Sequence, residues 1–245
     1  LELPWAKLVS VATDGAPSMK GDENGFIGRL RKFLRSMDMP SDFLSIHCII
    51  HREALCAKSV ALNNVMSVVV NCVNFIKSSS LRNRQFKELL EELGSHYENV
   101  PYYCHVRWLS RGALLRRFFQ LRCEINNFMK KQGHEVPELT QEEWLCDLAF
   151  STDLFHHLDI LNMSLQGKDK NVISLSDAVN TFMTKLTLWQ GQLETGDLYH
   201  FHSLESIFTI NVTLLEKYVT IIKELYDTFE SKFRDLKTIE AKYSF

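Results

Sequence analysis

Apolar residues recur at helical spacing through most of the chain, and this spacing limits the fold more than any other feature of the sequence. From Asn64 onward, hydrophobic side chains follow one another every three or four residues almost to the end, which is the repeat of an α-helix. Helix-breaking residues are scarce, because the 245 residues include 10 glycines and 5 prolines. The pattern therefore predicts a mostly α protein with long helices rather than a many-stranded sandwich.

Two β-branched, apolar runs near the N-terminal end predict short strands. The first, Leu8–Ala12, ends in the turn Thr13–Gly15, and the second, Phe43–Cys48, leads into a helix near His51. Two strands before a long helical stretch favour part of a small α/β core joined to a helical domain. On the residues alone, an all-α domain with a short β-hairpin is the alternative.

Local signals predict where the helices begin and end. Three glycines are expected to close helices: Gly94, Gly133 and Gly196. Thr140 and Glu143 form a capping-box pattern, and Ser174 is expected to start the following helix. Uninterrupted helices are predicted over 109–131 and from about 204 to 239.

Charge is spread unevenly along the chain. Residues 1–130 contain 18 Lys and Arg against 12 Asp and Glu, whereas residues 131–245 contain 10 against 18. Eleven of the 12 arginines lie at or before Arg122. A basic half joined to an acidic half predicts one face that meets a polyanion and a separate face that does not.

Neither the N-terminal end nor any apolar run indicates export or a membrane. The segment Leu1–Trp5 has no initiator methionine, basic stretch or apolar stretch, so we expect no signal peptide and a piece of a longer protein. The most apolar run, 65–76, contains polar residues and is too short to span a bilayer. The six cysteines show no pairing rhythm, which predicts reduced thiols in a nuclear or cytoplasmic protein.

Asp14 lies just beyond the end of the first predicted strand. Carboxylates at that edge of an α/β sheet collect ligands and hold Mg²⁺ for phosphoryl transfer. The alternative is a plain turn, in which the Asp14 side chain hydrogen-bonds only to its own backbone.

Cys48 and His51 have half the ligand spacing of a zinc site. Because no second pair with matching spacing follows, no metal site is predicted. We expect the two side chains to stabilise the turn between the second strand and the next helix.

Arginines cluster at the start of the helix predicted over 109–131. Together with one tryptophan they form the candidate DNA-binding set Arg107, Trp108, Arg111, Arg116 and Arg117. Guanidinium groups pair with phosphates through two hydrogen bonds, and a partly exposed tryptophan can stack on a base. The alternative is a tryptophan that anchors the loop to the core and arginines on a solvated face.

The last predicted helix carries an apolar seam with alternating spacings of three and four residues. Its members are Leu215, Tyr218, Ile222, Leu225, Phe229 and Leu236. Such a seam packs against a partner helix, which lies either in the same chain or in a second chain, as in a homodimer.

Three segments, in order, resemble the hAT superfamily of DNA transposases: Thr13–Met19, Cys48–Leu55 and Val106–Gly112. Trp144–Phe150 and Leu165–Lys168 are similar to the same lineage. Among transposase-derived host proteins, the chain resembles zinc-finger BED proteins and the transposase-like region of general transcription factor II-I repeat domain-containing proteins. The resemblance extends over nearly the whole chain.

The resemblance implies an RNase H-like α/β core that is interrupted by a large all-α insertion domain. Residues 1–62 then form a partial core with two short strands, and residues 63–245 form the insertion. In the intact family, an Asp-Asp-Glu triad binds two divalent metal ions such as Mg²⁺ and cuts DNA.

The resemblance also implies roles for single residues. Asp14 matches the second Asp of the triad, and Cys48 and His51 match the family's Cys-x-x-His motif. Arg107 and Trp108 match an Arg-Trp motif whose tryptophan is implicated in stacking with a base flipped out of the duplex.

Most of the triad is missing from this chain. Only 13 residues precede Asp14, so the first Asp is expected to be absent, and the late glutamates Glu216, Glu224 and Glu240 fit the insertion rather than the core. A two-metal site needs several carboxylates, and one Asp cannot supply them. We therefore expect no enzymatic activity and no cofactor in this chain.

The sequence thus predicts a catalytically inactive, transposase-derived scaffold that binds DNA weakly, protein partners, or both. A nuclear location and a role in transcription regulation are expected, with the cytoplasm as the other location. Two alternatives stay open: a segment of an active transposase whose other catalytic residues lie outside this chain, and a helical module that binds protein only. The chain has no Gly-x-Ser-x-Gly motif, P-loop or dinucleotide fingerprint.

Overall fold

The computed structural model describes residues 4–60, 62–97, 99–101, 110–168, 170–209 and 211–235. These residues are mostly helical and include two short strands, as the apolar spacing predicted. The chain divides into two compact units, Leu1–Leu55 (unit 1) and Cys56–Phe245 (unit 2). The division falls a few residues before the boundary between 62 and 63 that the sequence predicted.

Unit 1 contains a two-stranded parallel sheet and short helices. Its elements are β1 (Ser10–Thr13), α1 (Pro17–Lys20), α2 (Phe26–Ser36), β2 (Leu44–His47) and most of α3 (Ile49–Lys58). The two strands pair in parallel from Ser10 opposite Leu44 to Thr13 opposite His47. The β-hairpin alternative is therefore wrong, because a hairpin joins antiparallel strands.

The core of unit 1 is small. Ile27, Leu30 and Leu34 share one face of α2, since they follow helical spacing, and they pack with Phe43. Trp5 lies only partly buried against this cluster. The strands themselves are half-exposed, with one buried residue in each.

Unit 2 is built from helices that enclose an aromatic core. Its elements are α4 (Asn63–Lys77), α5 (Ser80–Glu92), α6 (Ser110–Gln120), α7 (Arg122–Lys131), α8 (Glu142–Leu165), α9 (Val172–Thr195), α10 (His202–Glu205) and α11 (Val212–Phe233). The ring of Phe150 on α8 stacks on Tyr218 with centroids 4.2 Å apart and on Phe201 at 5.4 Å. Helix α8 is the most buried element, which explains why it shows no clean amphipathic pattern.

Glycine correctly predicted the helix ends, whereas helix continuity was predicted wrongly. Gly94, Gly133 and Gly196 follow α5, α7 and α9 with φ of 62°, 68° and 76°. The helix predicted over 109–131 breaks at Leu121, so that α6 packs against α8 while α7 packs against α5. The last predicted helix is likewise divided, into α10 and α11.

The helix starts also differ from prediction. Thr140 donates its hydroxyl hydrogen bond to the Pro137 carbonyl, and α8 begins at Glu142 with no side-chain cap, so the capping box predicted there is wrong. The real capping box opens α9, where Asn171 is the N-cap and Ser174 is its partner three residues on. A cap depends on backbone geometry that a four-residue pattern does not specify.

Among the described residues, no single helix has the length and apolar composition needed to cross a bilayer. Helices α3 and α4 taken together reach this length and composition, but they meet at a bend of 91°.

Candidate functional site

The predicted strand-end carboxylate lies in a tight turn of unit 1. Asp14 directly follows β1, is exposed, and accepts a hydrogen bond on Oδ1 from the Ala16 backbone N–H at 3.0 Å. Between them Gly15 has φ of 76°, in the left-handed region. This is the plain turn, with the Asp14 side chain hydrogen-bonded to nearby backbone, that the sequence offered as the alternative to a metal-binding carboxylate.

His47 is the residue at this turn that the sequence interpretation missed. It is the last residue of β2, and a Cβ added to Gly15 would lie 2.6 Å from its Nε2 atom. That Nε2 atom is buried and has no hydrogen-bond partner. Burial lowers the pKa of His47, as do the charges of Lys20 and Arg52, while a hydrogen bond with the Asp14 backbone opposes this shift. The signal available in the sequence was its position directly before the Cys-x-x-His pattern.

Cys48 lies at the turn between β2 and α3, and His51 is an exposed residue in the first turn of α3. The Cys48 backbone N–H donates to the Thr13 carbonyl at 2.6 Å, and the Cys48 carbonyl accepts from the Arg52 N–H at 3.0 Å. Cys48 is a half-buried free thiol, and the His51 ring lies 5.5 Å from the ring of His47. Within the described ranges, no group of three or more His, Cys, Asp or Glu could hold a metal ion.

The arginine-rich helix α6 does not present its guanidinium groups on one face. Arg117 donates to the Asn99 carbonyl at 3.0 Å and lies 3.8 Å above the ring of Tyr97, so its guanidinium group is held by protein contacts. Arg116 is exposed and donates to His156 Nδ1 at 2.8 Å. Arg111 is half-buried, and its Nε has no hydrogen-bond partner. Arg107 and Trp108, which carry the strongest prediction of base contact, lie outside the described residues.

Helices α6 and α8 approach each other closely beside the exposed Arg116. Any Cβ on Gly112 would overlap the carboxylate of Asp159, so the two helices meet where α6 has no side chain. Burial raises the pKa of Asp159 to about 6, although the charge of Arg116 opposes the rise. Burial and the same arginine lower the pKa of His156. The charge of Arg116 thus favours the neutral form of His156 and the ionised form of Asp159.

The apolar seam of α11 lies inside unit 2. Tyr218, Ile222, Leu225 and Phe229 are buried, and Leu215 is half-buried, as α11 packs along α9. The seam therefore packs against a helix of the same chain, as the intrachain alternative predicted, and does not form an intermolecular coiled coil. Leu236 lies outside the described residues.

An ion pair between a buried carboxylate and a half-exposed lysine, beside the seam, was not predicted. Asp147 is 2% exposed and accepts hydrogen bonds from Lys217 Nζ at 2.7 and 2.8 Å, from Tyr218 Oη at 3.1 Å and from Asn64 Nδ2 at 2.9 Å. These contacts join α4, α8 and α11. The only signal in the sequence was one acidic residue within the apolar run Trp144–Phe150, because its partners lie 70 to 83 residues away.

Comparison with known proteins identifies relatives along almost the whole chain. The family described as the FAM200/GTF2IRD2 helical domain matches residues 47–194. The chain is 39% identical over 240 residues to general transcription factor II-I repeat domain-containing protein 2 of Bos taurus, which is 98% of this chain and 25% of that protein. The corresponding protein of Mus musculus is also 39% identical, over 98% of this chain and 26% of its own length. The chain thus spans about a quarter of the length of these curated relatives, and no solved structure matches it.

Proposed function

The chain belongs to the FAM200/GTF2IRD2-like family, and from this premise we propose that it is a catalytically inactive, transposase-derived scaffold that binds DNA, protein partners, or both in the nucleus. Its role in this proposal is transcription regulation. The observation that carries it is the match of 98% of the chain to relatives named as general transcription factor II-I repeat domain-containing proteins.

The order of elements in unit 1 supports derivation from an hAT transposase with an RNase H-like core. Its two strands are parallel and are connected through helices α1 and α2, as in an α/β layer rather than a hairpin. Asp14 follows β1 at the edge of the sheet where such folds place metal-binding carboxylates.

The state of that carboxylate supports inactivity. Asp14 uses Oδ1 to accept a hydrogen bond within its own turn, and the residues that directly follow β2 are Cys48 and Ile49, neither of them acidic. Two-metal catalysis needs several carboxylates to position both ions. We expect no nicking of supercoiled plasmid with Mg²⁺ or Mn²⁺, by the wild-type chain or by Asp14→Ala. Robust nicking that Asp14→Ala abolishes would instead support a segment of an active transposase.

The charge distribution supports nucleic acid as a partner. The first 130 residues carry 18 Lys and Arg against 12 Asp and Glu, and they include α6 with its exposed Arg116. Cationic side chains that neutralise phosphates release counterions, so binding of this kind weakens steeply with salt.

Fluorescence anisotropy with a labelled duplex at several salt concentrations tests this part of the proposal. We expect weak binding for the wild-type chain and roughly tenfold weaker binding for Arg107→Ala with Trp108→Ala, with a smaller salt dependence. Lys223→Ala, which removes an exposed cation on α11, serves as the matched control and should bind normally. Equal binding by the double variant and the wild-type chain would place the DNA contact elsewhere.

A helical module that binds protein only is the remaining alternative. Its predicted seam is buried, so Ile222 or Leu225 replaced by a polar residue should unfold unit 2 rather than dissociate an oligomer. Salt-insensitive binding of a protein partner, without any DNA affinity, would favour this alternative.

A further inference from the structure

Three side chains in the basic half form a layered stack at the surface of unit 2. The rings of Phe75 and His134 are stacked, with centroids 4.5 Å apart and an interplanar angle of 13°. The guanidinium carbon of Arg82 lies 4.1 Å from the centroid of the Phe75 ring. Because His134 already covers one face of Phe75 at stacking distance, Arg82 lies on the other face. Phe75 and Arg82 are half-buried, whereas His134 is exposed and forms the outer layer.

Local backbone structure holds His134 in this position. Helix α7 ends at Lys131, and Gly133 takes the left-handed conformation with φ of 68°. The chain then turns back, so that the His134 N–H donates to the Met129 carbonyl at 2.9 Å. A Cβ on Gly133 would meet nothing within 4 Å, so no other described part of unit 2 covers the turn that carries His134 at that position.

The inner layer is fixed by the turn between α4 and α5. Arg82 Nη2 donates to Ser78 Oγ at 2.8 Å, and the Ser78 backbone N–H donates to the Asn74 carbonyl at 2.8 Å. The guanidinium plane is therefore held against Phe75 by both the ring and the hydroxyl. The stack is preorganised, which lowers the entropy cost of adding a further layer.

The stack is surrounded by positive charge. Residues 75–87 and 128–134 together contain six Lys and Arg and no Asp or Glu, although Glu88 and Glu135 directly follow the two segments. Glu88 lies 3.9 Å from Arg84 and forms an ion pair with it. Lys87 is exposed, so its ammonium group is accessible to an anion.

Amide groups complete the surface. Gln132 donates to Gln85 at 3.3 Å, which links the end of α7 to α5 next to the stack. Amide side chains of this kind can hydrogen-bond base edges, and they tolerate different bases because they both donate and accept. An exposed ring with cations and amides around it is the combination that single-stranded nucleic acid binds.

We propose that His134, supported by Phe75 and Arg82, is a stacking site for a base of single-stranded nucleic acid, with Lys87 contacting an adjacent phosphate. This site deepens the proposed nucleic-acid role and rests on it, but it uses different residues from Arg107 and Trp108. A single strand fits better than a duplex, because bases within a duplex are already stacked on both faces.

The test measures binding of a labelled single-stranded oligonucleotide of about 15 nucleotides by fluorescence anisotropy at low salt. We expect His134→Ala to bind roughly tenfold more weakly, and His134→Trp to bind at least as well as the wild-type chain, because base–aromatic stacking is sequence-tolerant and strongest on large rings. Lys87→Glu should also weaken binding and reduce the salt dependence. His134 and Lys87 are exposed, so neither substitution is expected to unfold the chain.

The matched controls are His202→Ala on α10 and Lys223→Glu on α11, both exposed and distant in sequence from the stack. They should leave binding of the oligonucleotide unchanged. Circular dichroism of every variant confirms that differences in affinity do not reflect unfolding.

Four outcomes would overturn the site. If His134→Ala binds like the wild-type chain while Arg107→Ala with Trp108→Ala weakens binding, the site is wrong and the proposed function stands. Binding of duplex but not of single strands has the same meaning. If polyglutamate binds as well as the oligonucleotide and His134→Ala changes neither, the surface is a cation patch for acidic chains. Absence of all nucleic-acid binding would overturn the site together with the nucleic-acid part of the proposed function, and would leave only the binding of protein partners.

Discussion

Units 1 and 2 differ in the size of the apolar core that offsets the polar groups which folding removes from water. In unit 2, the buried Asp147 accepts hydrogen bonds from three side chains, and Asp153 accepts one from the Leu204 N–H at 3.0 Å. Both units also bury polar atoms that have no hydrogen-bond partner: Arg111 Nε, Asn126 Oδ1 and Trp189 Nε1 in unit 2, and Thr13 Oγ1 and His47 Nε2 in unit 1. Thr13 and His47 are partners in the last pair of the β1–β2 ladder. A buried polar group without a partner costs about 1–3 kcal/mol.

The difference in core size separates a stable helical unit from a small sheet that has little apolar cover. Two strands of four residues each are marginal by themselves, and parallel sheets are normally covered on both faces. Unit 2 has fully buried aromatic side chains throughout, among them Phe150, Tyr218 and Phe229. We infer that unit 2 supplies most of the stability and that unit 1 keeps its strand-end groups at an energetic cost.

The largest effect is expected at the buried carboxylate of unit 2. Asp147→Ala should lower the free energy of unfolding by about 2–3 kcal/mol, because it leaves the buried Tyr218 hydroxyl without its acceptor, whereas the Lys217 side chain is 38% exposed and can be solvated. Urea denaturation followed by circular dichroism measures this. Asp177→Ala, at an exposed position on α9, is the control and should change stability by less than about 0.5 kcal/mol. A loss below about 1 kcal/mol for Asp147→Ala would show that the hydrogen bonds to Asp147 contribute little to the stability of unit 2.

The next effect concerns the close approach of α6 and α8. Gly112→Ala should lower the free energy of unfolding by about 2 kcal/mol, because its Cβ would overlap the Asp159 carboxylate. Gly191→Ala is the matched variant, since Gly191 is also helical but has nothing within 4 Å of its Cβ position. It should raise stability by about 0.5–1 kcal/mol through helix propensity. Thermal unfolding that shifts in the same direction for both variants would show that α6 can move away from α8.

A similar effect should appear on acidification. Burial lowers the pKa of His157 to about 4, and its ring stacks on Trp189 at 4.2 Å. As pH falls from about 6.5 towards 4, the unfolded chain binds a proton that folded His157 does not, so unit 2 should lose about 2 kcal/mol. Asp159, whose pKa is raised to about 6, acts in the opposite direction over part of this range.

Comparison of variants isolates this histidine from the other titrating groups. Urea denaturation at pH 7 and at pH 5 should show a smaller loss for His157→Gln than for the wild-type chain. His202→Gln, at an exposed position, should retain the wild-type loss. Identical pH dependence in all three proteins would mean that His157 titrates as a solvated residue.

The smallest effect is expected in unit 1. Gly15→Ala should cost about 1–2 kcal/mol, because φ of 76° disfavours a Cβ and that atom would lie 2.6 Å from His47 Nε2. Hydrogen exchange should become about tenfold faster in peptides from β1 and β2 and stay unchanged in peptides from α8. Gly94→Ala has a similar φ of 62° but open space around the Cβ, so it separates backbone strain from the clash. Slower exchange in β1 after Gly15→Ala would show that the turn is not strained.

Much of the fold could be read from local patterns in the sequence. The scarcity of glycine and proline and the apolar spacing correctly predicted a mostly helical chain with two short strands. Gly94, Gly133 and Gly196 correctly predicted helix ends, because a left-handed residue after a helix is chosen by its own backbone energy. Each of these properties depends on residues within a few positions of each other.

The tertiary structure decided which side chains meet across long separations. The break at Leu121, the burial of the α11 seam, the Asp147–Lys217 ion pair and the stacking of His134 on Phe75 all depend on how helices pack. The same holds for Arg117, which the sequence grouped with DNA-binding arginines and which lies over Tyr97. Helical periodicity specifies the apolar face of one helix but not the helix that covers it, since many pairings bury similar apolar area. Sequence therefore determined the type of most elements and the glycine-marked helix ends, and packing determined where helices break and which charges and rings remain exposed at the surface.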